Sequence, residues 1–506
     1  MTPTPFAEPT PRAPRRRRGV LVATAVAVAV AALGACSSEP ADPATQPATD
    51  GSGHDVGVQL FQWTWDAIAA ECTDDLGPAG YAWVLTSPPQ EHVLGGQWWT
   101  AYQPVSYLLE SRLGTREQFA AMVATCHDAG VDVRVDAVVN HMTGQDEPGT
   151  GWAGSSYEHY EYPGIWTYDD FHHCGLSTSD DIVSYFDRAQ VQTCELVNLA
   201  DLATETAPVR ERLSAYLQDL VSLGVDGLRI DAAKHMAADD IAAILAPLTK
   251  GDADDGADLA IMQEVIRGSA EPISPDEYLG NGQVYEFTYG KELKGVIAGS
   301  PGLALELGDA TARYVPSDDA VVFVENHDTE RNGSTLSYQD GTDDALATVL
   351  MLAGAYGTPQ VYSGYSFTDT DAGPQQLDDG EVVDATCGGD PRPGADLKDG
   401  AWVCQHRWPQ VAGMVGWRGV VGDAPVVDTW SEGDAVALGR GQRGFVVVNF
   451  GDDELRTTLT TSLPDGSYCD VLAGGEDCTK VTVEDGRVDV VVPAGAALAW
   501  DVADRV

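Results

Sequence analysis

Residues 115–141 read Thr-Arg-Glu-Gln-Phe-Ala-Ala-Met-Val-Ala-Thr-Cys-His-Asp-Ala-Gly-Val-Asp-Val-Arg-Val-Asp-Ala-Val-Val-Asn-His. Thr115 to Gln118 has the form of a capping box, in which a hydroxyl and an amide satisfy the first free N–H groups of a helix. Phe119, Met122, Val123 and Cys126 follow at helical spacing, and Gly130 is a plausible stop. Val131 to Val139 then reads as a strand ending in the polar pair Asn140-His141. A second unit repeats the pattern. Val209, Leu213, Tyr216, Leu217 and Leu220 share a helix face, Gly224 ends it, and Gly227-Leu228-Arg229-Ile230-Asp231 reads as a buried strand. Repeated helix-then-strand units imply a parallel sheet. Their number between residues 56 and 418 favours a closed (β/α)8 TIM barrel over an open doubly wound sheet. No Gly-x-Gly-x-x-Gly or P-loop follows a strand, which weakens a dinucleotide or nucleotide site.

Outward from this unit the texture changes three times. Residues 142–198 are rich in Gly, Tyr, Ser, His and Asp, and read as a small domain inserted after the third strand. They divide the barrel into 56–141 and 199–418. Residues 419–506 alternate as short strands such as Phe445-Val446-Val447-Val448-Asn449-Phe450, and read as a C-terminal antiparallel β-sandwich. At the other end, Arg15 to Arg18 precede an apolar run of 14 residues, Val20 to Leu33. At about 1.5 Å per residue this run is too short to cross a ~30 Å bilayer core comfortably. Residues 1–35 therefore read as a signal peptide. Leu33-Gly34-Ala35-Cys36 resembles the bacterial lipobox, which implies cleavage before Cys36 and a lipid on its thiol; an ordinary signal peptide with an incidental cysteine is the alternative. Residues 36–55 then form a flexible tether. The expected location is the cell surface, or the medium if Cys36 is not lipidated.

The 506 residues carry 29 Lys+Arg against 78 Asp+Glu, a formal balance of −49. Removing residues 1–35 takes away five Arg and one Glu and leaves −53. That charge repels nucleic acid and anionic lipid surfaces, so contact with a membrane is expected only through the lipid anchor. Nine cysteines are present. Setting Cys36 aside leaves eight, an even number that suggests disulfides in an exported chain but allows roughly a hundred pairings. No Cys-x-x-Cys spacing occurs, which argues against zinc.

Catalysis in such barrels sits at the C-terminal strand ends. Four candidate strands end in polar residues: Asp136-Ala137-Val138-Val139-Asn140-His141, Gly227 to His235, Ile261-Met262-Gln263-Glu264-Val265-Ile266, and Val322-Phe323-Val324-Glu325-Asn326-His327-Asp328. A lone Asp at a strand end is usually a cap or a surface residue. Here His, Arg and Asn accompany the acids, which a solvated face does not require.

These four segments resemble, in order, the signature regions of the α-amylases of glycoside hydrolase family 13. Leu199-Ala200-Asp201-Leu202 matches the family's calcium aspartate. Ser87-Pro88-Pro89, Trp98 to Tyr107 and Cys404-Gln405-His406-Arg407-Trp408 are similar to the animal-type branch that also occurs in actinobacteria. The resemblance spans residues 56–506 and implies an endo-acting retaining hydrolase of α-1,4-glucans. It implies Asp231 as nucleophile, Glu264 as general acid/base and Asp328 as third carboxylate. Arg229, two residues before Asp231 on the same strand face, would keep the nucleophile ionised. His141 and His327 would hydrogen-bond the sugar; each taken alone reads as a buried supporting histidine. Trp98, Trp99 and Tyr102 would stack on glucose, although two adjacent Trp taken alone read as core. Gln103 would lie beside them, with Lys234 and His235 on the leaving-group side.

The resemblance also implies calcium, held by side-chain oxygens of Asn140 and Asp201 and by main-chain carbonyls of Gln192 and His235. It implies the disulfides Cys72–Cys126, Cys174–Cys194, Cys387–Cys404 and Cys469–Cys478, leaving Cys36 alone. One departure stands out. Animal-type members often hold chloride with two Arg and an Asn; Arg229 and Asn326 match, but Gln360 takes the second Arg position, so chloride is not expected. The expected partners are starch, glycogen and maltooligosaccharides, bound by a monomer. Two rivals remain at this stage: an enzyme of the same family releasing mainly one short maltooligosaccharide, and a noncatalytic glucan-binding lipoprotein.

Overall fold

Eight short parallel strands close on one another in the computed structural model, which describes residues 55–249, 259–308, 313–389, 391–473 and 478–506. The expected signal peptide, Cys36 and nearly all of the tether lie outside the described residues. The strands are β1 Gly57–Leu60, β2 Trp83–Thr86, β3 Asp132–Ala137, β4 Gly227–Ile230, β5 Ala260–Gln263, β6 Gln283–Tyr285, β7 Ala320–Val322 and β8 Thr358–Ser363. Each pairs with its sequence neighbours, and β8 closes the ring on β1 with Gly57 opposite Gln360. The two units that suggested a barrel fold as expected. Thr115 and Gln118 form the capping box of helix α1, Arg116–Asp128. Gly130 and Gly224 take left-handed φ values of 77° and 100° after their helices, a conformation that costs a residue with a Cβ.

The connection from β3 to β4 carries the insertion. It contains a hairpin pairing Gly149–Thr150 with Ser156–Tyr157, and the helix α2, Arg188–Thr193. The wholly buried Glu91 anchors the hairpin side, accepting from the N–H groups of Ala153 at 2.8 Å and Ser155 at 3.0 Å. Ser106 donates to its other oxygen at 2.5 Å. All four disulfides implied by the resemblance form: Cys72–Cys126, Cys174–Cys194, Cys387–Cys404 and Cys469–Cys478.

Beyond residue 425 two four-stranded antiparallel sheets stack. One runs β9 Val426–Glu432, β10 Ala435–Arg440, β11 Gly444–Asn449 and then the last strand of the chain, Ala496–Asp501. Strands β10 and β11 are buried at every position because this sheet is covered on both faces. Ala437, Phe445, Val447 and Trp500 face the second sheet. Val436, Leu438, Val446, Val448 and Ala499 belong to the hydrophobic cluster of the barrel. Two arginines lock the junction. Arg418 and Arg440 donate to the carbonyls of Leu352, Ala353 and Gly354, which end the buried helix Thr342–Ala353 and lack intrahelical donors. No helix among the described residues is long and apolar enough to cross a membrane.

Candidate active site

The barrel brings the four polar strand ends to one mouth, where they line a cavity of about 610 Å³. Its walls include Asp231, Glu264, Asp328, His141, His327, Trp98, Trp99, Tyr102, Gln103, Lys234 and His235. Every expected catalytic or substrate-binding residue except Arg229 is on that wall. Arg229 lies beneath it, 3% exposed.

One guanidinium organises the carboxylates. Nη1 of Arg229 bonds Asp136 Oδ1 at 2.5 Å and Asp231 Oδ1 at 2.8 Å, and Nη2 reaches Glu264 Oε2 at 3.0 Å. A buried guanidinium without partners would cost several kcal/mol. Here, although burial opposes its charge, Asp136, Glu264 and Asp231 hold it well above the usual arginine range. Burial pushes the Asp231 carboxyl up, and Arg229 pulls it back toward the ionised form. Glu264 Oε2 also accepts from the Ala232 N–H at 2.9 Å, which fixes its orientation. Asp328 has about a third of its side chain open to the cleft, 36%. Its carboxyl is nevertheless pushed up to about 7 by desolvation at the cleft floor and by the charge of Glu264.

Asp136 had no role in the sequence reading beyond opening a motif. It is completely buried, and its second oxygen takes the Tyr102 hydroxyl at 2.8 Å. Burial raises it to about 7, with Arg229 opposing and Asp231 adding to the rise. An acid between Val135 and Ala137 in a strand buried on both faces was the available signal.

The imidazoles are neutral hydrogen-bonding groups. Burial lowers His141 to about 4, and its Nε2–H donates to the Tyr102 carbonyl at 3.0 Å. His235 is also lowered to about 4, by burial, and donates from Nδ1 to the Val191 carbonyl at 3.0 Å. His327 lies between the stacked rings of Phe61 and Tyr102, with centroids at 4.8 and 5.0 Å. Burial and the charges of Arg229 and Arg331 keep it well below the usual range. Gln103 turns its Oε1 toward the insertion, accepting from the Gly144 N–H and from Gln145 Nε2, both at 3.1 Å. Lys234 pairs with Glu271 and donates to the Ile266 carbonyl at 2.8 Å. Ile266, the last residue of the third strand-end motif, also lines the cavity; Glu271, Tyr185, Leu196 and Val197 line it too and were not singled out from sequence, because none sits at a strand end.

Asn140 and Asp201, two of the residues expected to hold calcium, bring together side-chain oxygens of the hard kind that such a cation takes. Asn140 Oδ1 is buried without a hydrogen-bond partner. Asp201 is buried, accepting from Asn140 Nδ2 at 3.2 Å and His172 Nδ1 at 2.7 Å. Gln192 lies in the last turn of α2, where carbonyls lack intrahelical donors.

Behind the site, Tyr285 donates its hydroxyl to Gln360 Oε1 at 2.7 Å. Gln360 shares a small internal cavity with the buried acids Glu325 and Asp344. Glu325 Oε2 and Asp344 Oδ1 have no hydrogen-bond partner among the described residues. Burial, then the charges of Asp340 and Glu330, push Asp344 up to about 8.

Comparison with known proteins places this geometry. Residues 84–249 match the family model for the alpha amylase catalytic domain, and residues 430–503 match that for the alpha amylase C-terminal all-beta domain. An alpha-amylase of Streptomyces violaceus is 44% identical over 96% of this chain and 79% of its own length. An alpha-amylase of Tenebrio molitor is 40% identical over 87% of this chain and 94% of its own. A crystal structure of a mutant alpha-amylase I from Eisenia fetida with maltohexaose superposes with a TM-score of 0.83, at 33% identity, over 89% of this chain and 97% of that one.

The acids behind the site set a pH dependence. A carboxyl raised on folding binds more protons folded than unfolded, so stability falls as pH rises from its unfolded value near 3.9 through its folded one. Asp344→Asn removes one such group. Unfolding temperatures measured from pH 5 to 9 should fall less for the variant than for the wild type; parallel curves would show that Asp344 does not carry a raised pKa.

Proposed function

The chain belongs to the alpha-amylase family and is a starch-hydrolysing glycoside hydrolase; from that premise we propose that it cleaves internal α-1,4-glucosidic bonds with retention, through a covalent glycosyl-enzyme intermediate. The observation that carries this reading is Arg229 bonding both Asp231 and Glu264. Two carboxyls on the two terminal nitrogens of one guanidinium suit the roughly 5–5.5 Å spacing of retaining enzymes, where one attacks carbon and the other handles the leaving oxygen.

In the proposed sequence Asp231, kept ionised by Arg229, attacks the anomeric carbon as Glu264 gives its proton to the departing glycosidic oxygen. Glu264 then takes a proton from water, which attacks the same carbon and frees Asp231. Asp328 and the neutral His141 and His327 bond the sugar hydroxyls and hold the ring distorted toward the oxocarbenium-like state. Trp98, Trp99 and Tyr102 present aromatic faces to further glucose units. Asp231→Asn and Glu264→Gln should each lose nearly all starch hydrolysis with an unchanged circular dichroism spectrum; near-wild-type cleavage by either rejects the assignment. A mixed oligomer ladder from amylose supports endo attack. One dominant short product points instead to the narrower enzyme, and starch binding without cleavage by the wild type to the noncatalytic lipoprotein.

We further propose that Asn140, Asp201 and the main-chain carbonyls of Gln192 and His235 hold calcium. The ion would tie the insertion to the barrel beside the cleft, and its chemistry there is structural. We also propose that chloride is not bound, because Gln360, in place of a second Arg, is neutral, accepts the Tyr285 hydroxyl and lines a small cavity together with Glu325. Dialysis against a chelator should therefore lower activity and unfolding temperature, calcium should restore both, and added chloride should change neither. Indifference to chelation, or strong activation by chloride in depleted enzyme, contradicts these ion assignments.

The proposed location, at the cell surface on a lipid carried by Cys36, rests on residues 15–36 of the sequence alone. Cys36→Ser should move the protein from the membrane fraction to the medium; an unchanged distribution rejects the anchor.

A further inference from the structure

Arg112 is among the largest completely buried side chains, at 1% exposure. Unlike Arg229 it meets no carboxylate among the described residues. Its Nε and Nη2 both donate to Gln62 Oε1, at 3.1 and 2.5 Å. Nη1 donates to the carbonyls of Gly95 at 3.4 Å and Gln97 at 3.0 Å and to Thr100 Oγ1 at 3.1 Å, and Nη2 also reaches the Trp98 carbonyl at 3.2 Å. Four of its five acceptors therefore lie on residues 95–100, the segment that delivers Trp98 and Trp99 to the cleft.

Burial without a counter-charge is unfavourable, and it lowers Arg112 to about 10. The fifth acceptor is also placed at a cost, since Gln62 holds a left-handed φ of 64° with its backbone N–H on Ser87 Oγ. Only a planar fork reaches these acceptors at once; the compact ammonium of Lys cannot. The far side of the segment rests on another loop, where the Trp98 indole N–H meets the Thr370 carbonyl at 2.9 Å and the Trp98 ring lies 5.6 Å from His327.

We propose that Arg112 is a positioning residue for glucan binding. Its guanidinium sets the backbone of residues 95–100 and so the angle at which Trp98 and Trp99 meet the polymer. It touches neither the substrate nor the acids, so its effect falls on binding rather than on bond cleavage. The inference rests on the glucan-cleft reading above, and cleavage by the wild type tests that reading separately.

The test is steady-state kinetics of the full chain on maltoheptaose, with tryptophan fluorescence followed as a non-hydrolysed oligosaccharide is added. Arg112→Met should raise KM about tenfold while kcat stays within a factor of two, and should diminish the fluorescence change. Arg112→Lys should recover only part of the loss. Thr100→Val, which removes one acceptor, should raise KM two- to threefold and serves if Arg112→Met does not fold. A wild-type KM in a folded Arg112→Met, a loss confined to kcat, or full recovery by Lys would overturn the proposal. So would a wild-type KM in Thr100→Val where Arg112→Met is unfolded.

Discussion

A single guanidinium in contact with three carboxylates is the constraint around which the catalytic mouth is built. Arg229 cannot be buried without Asp136, Asp231 and Glu264, and those acids cannot converge without it. The barrel makes the arrangement possible by delivering β3, β4 and β5 side by side, so that residues distant in sequence meet at adjacent strand ends. Tyr102 extends the contact to the aromatic wall through its bond to Asp136 and its stacking on His327. The aromatic wall and the clustered carboxylates thus share one hydrogen-bonded assembly.

Two buried arginines solve the same problem in opposite ways. Arg229 is matched by charge, and two of its three partners, Asp231 and Glu264, are the carboxyls proposed to react. Arg112 is matched by neutral carbonyl, hydroxyl and amide oxygens, and its partners are scaffold.

The barrel was legible in sequence because helix periodicity, glycine stops and apolar strands agreed in two separate units, as Thr115–Gln118 and Gly130 illustrate for the first. The catalytic candidates were legible because strand-end chemistry is local: Asp231, Glu264 and Asp328 each sit in a short recognisable run. The supporting partners were not. Glu271 reaches Lys234 from 37 residues away and Gln62 reaches Arg112 from 50, and no periodicity announces such pairs. Asp344 was hidden differently, as an acid in a helix where an apolar residue would satisfy the pattern. Gln360 was noticed for the charge it lacks, while the acids it faces came only from the fold.

The first C-terminal sheet, covered on both faces, has a consequence for how the chain acquires its structure. The last strand, Ala496–Asp501, pairs along the whole of β11, and its Ala499 lies in the same apolar cluster as the barrel walls. The helices Thr342–Ala353 and Pro409–Val421 pack against this sheet, so their outward faces stay uncovered until residues 496–501 have been made. A chain emerging from a ribosome would expose that apolar surface until then. What looks in outline like an appended module is, in the order of assembly, a late cover for the barrel's own helices.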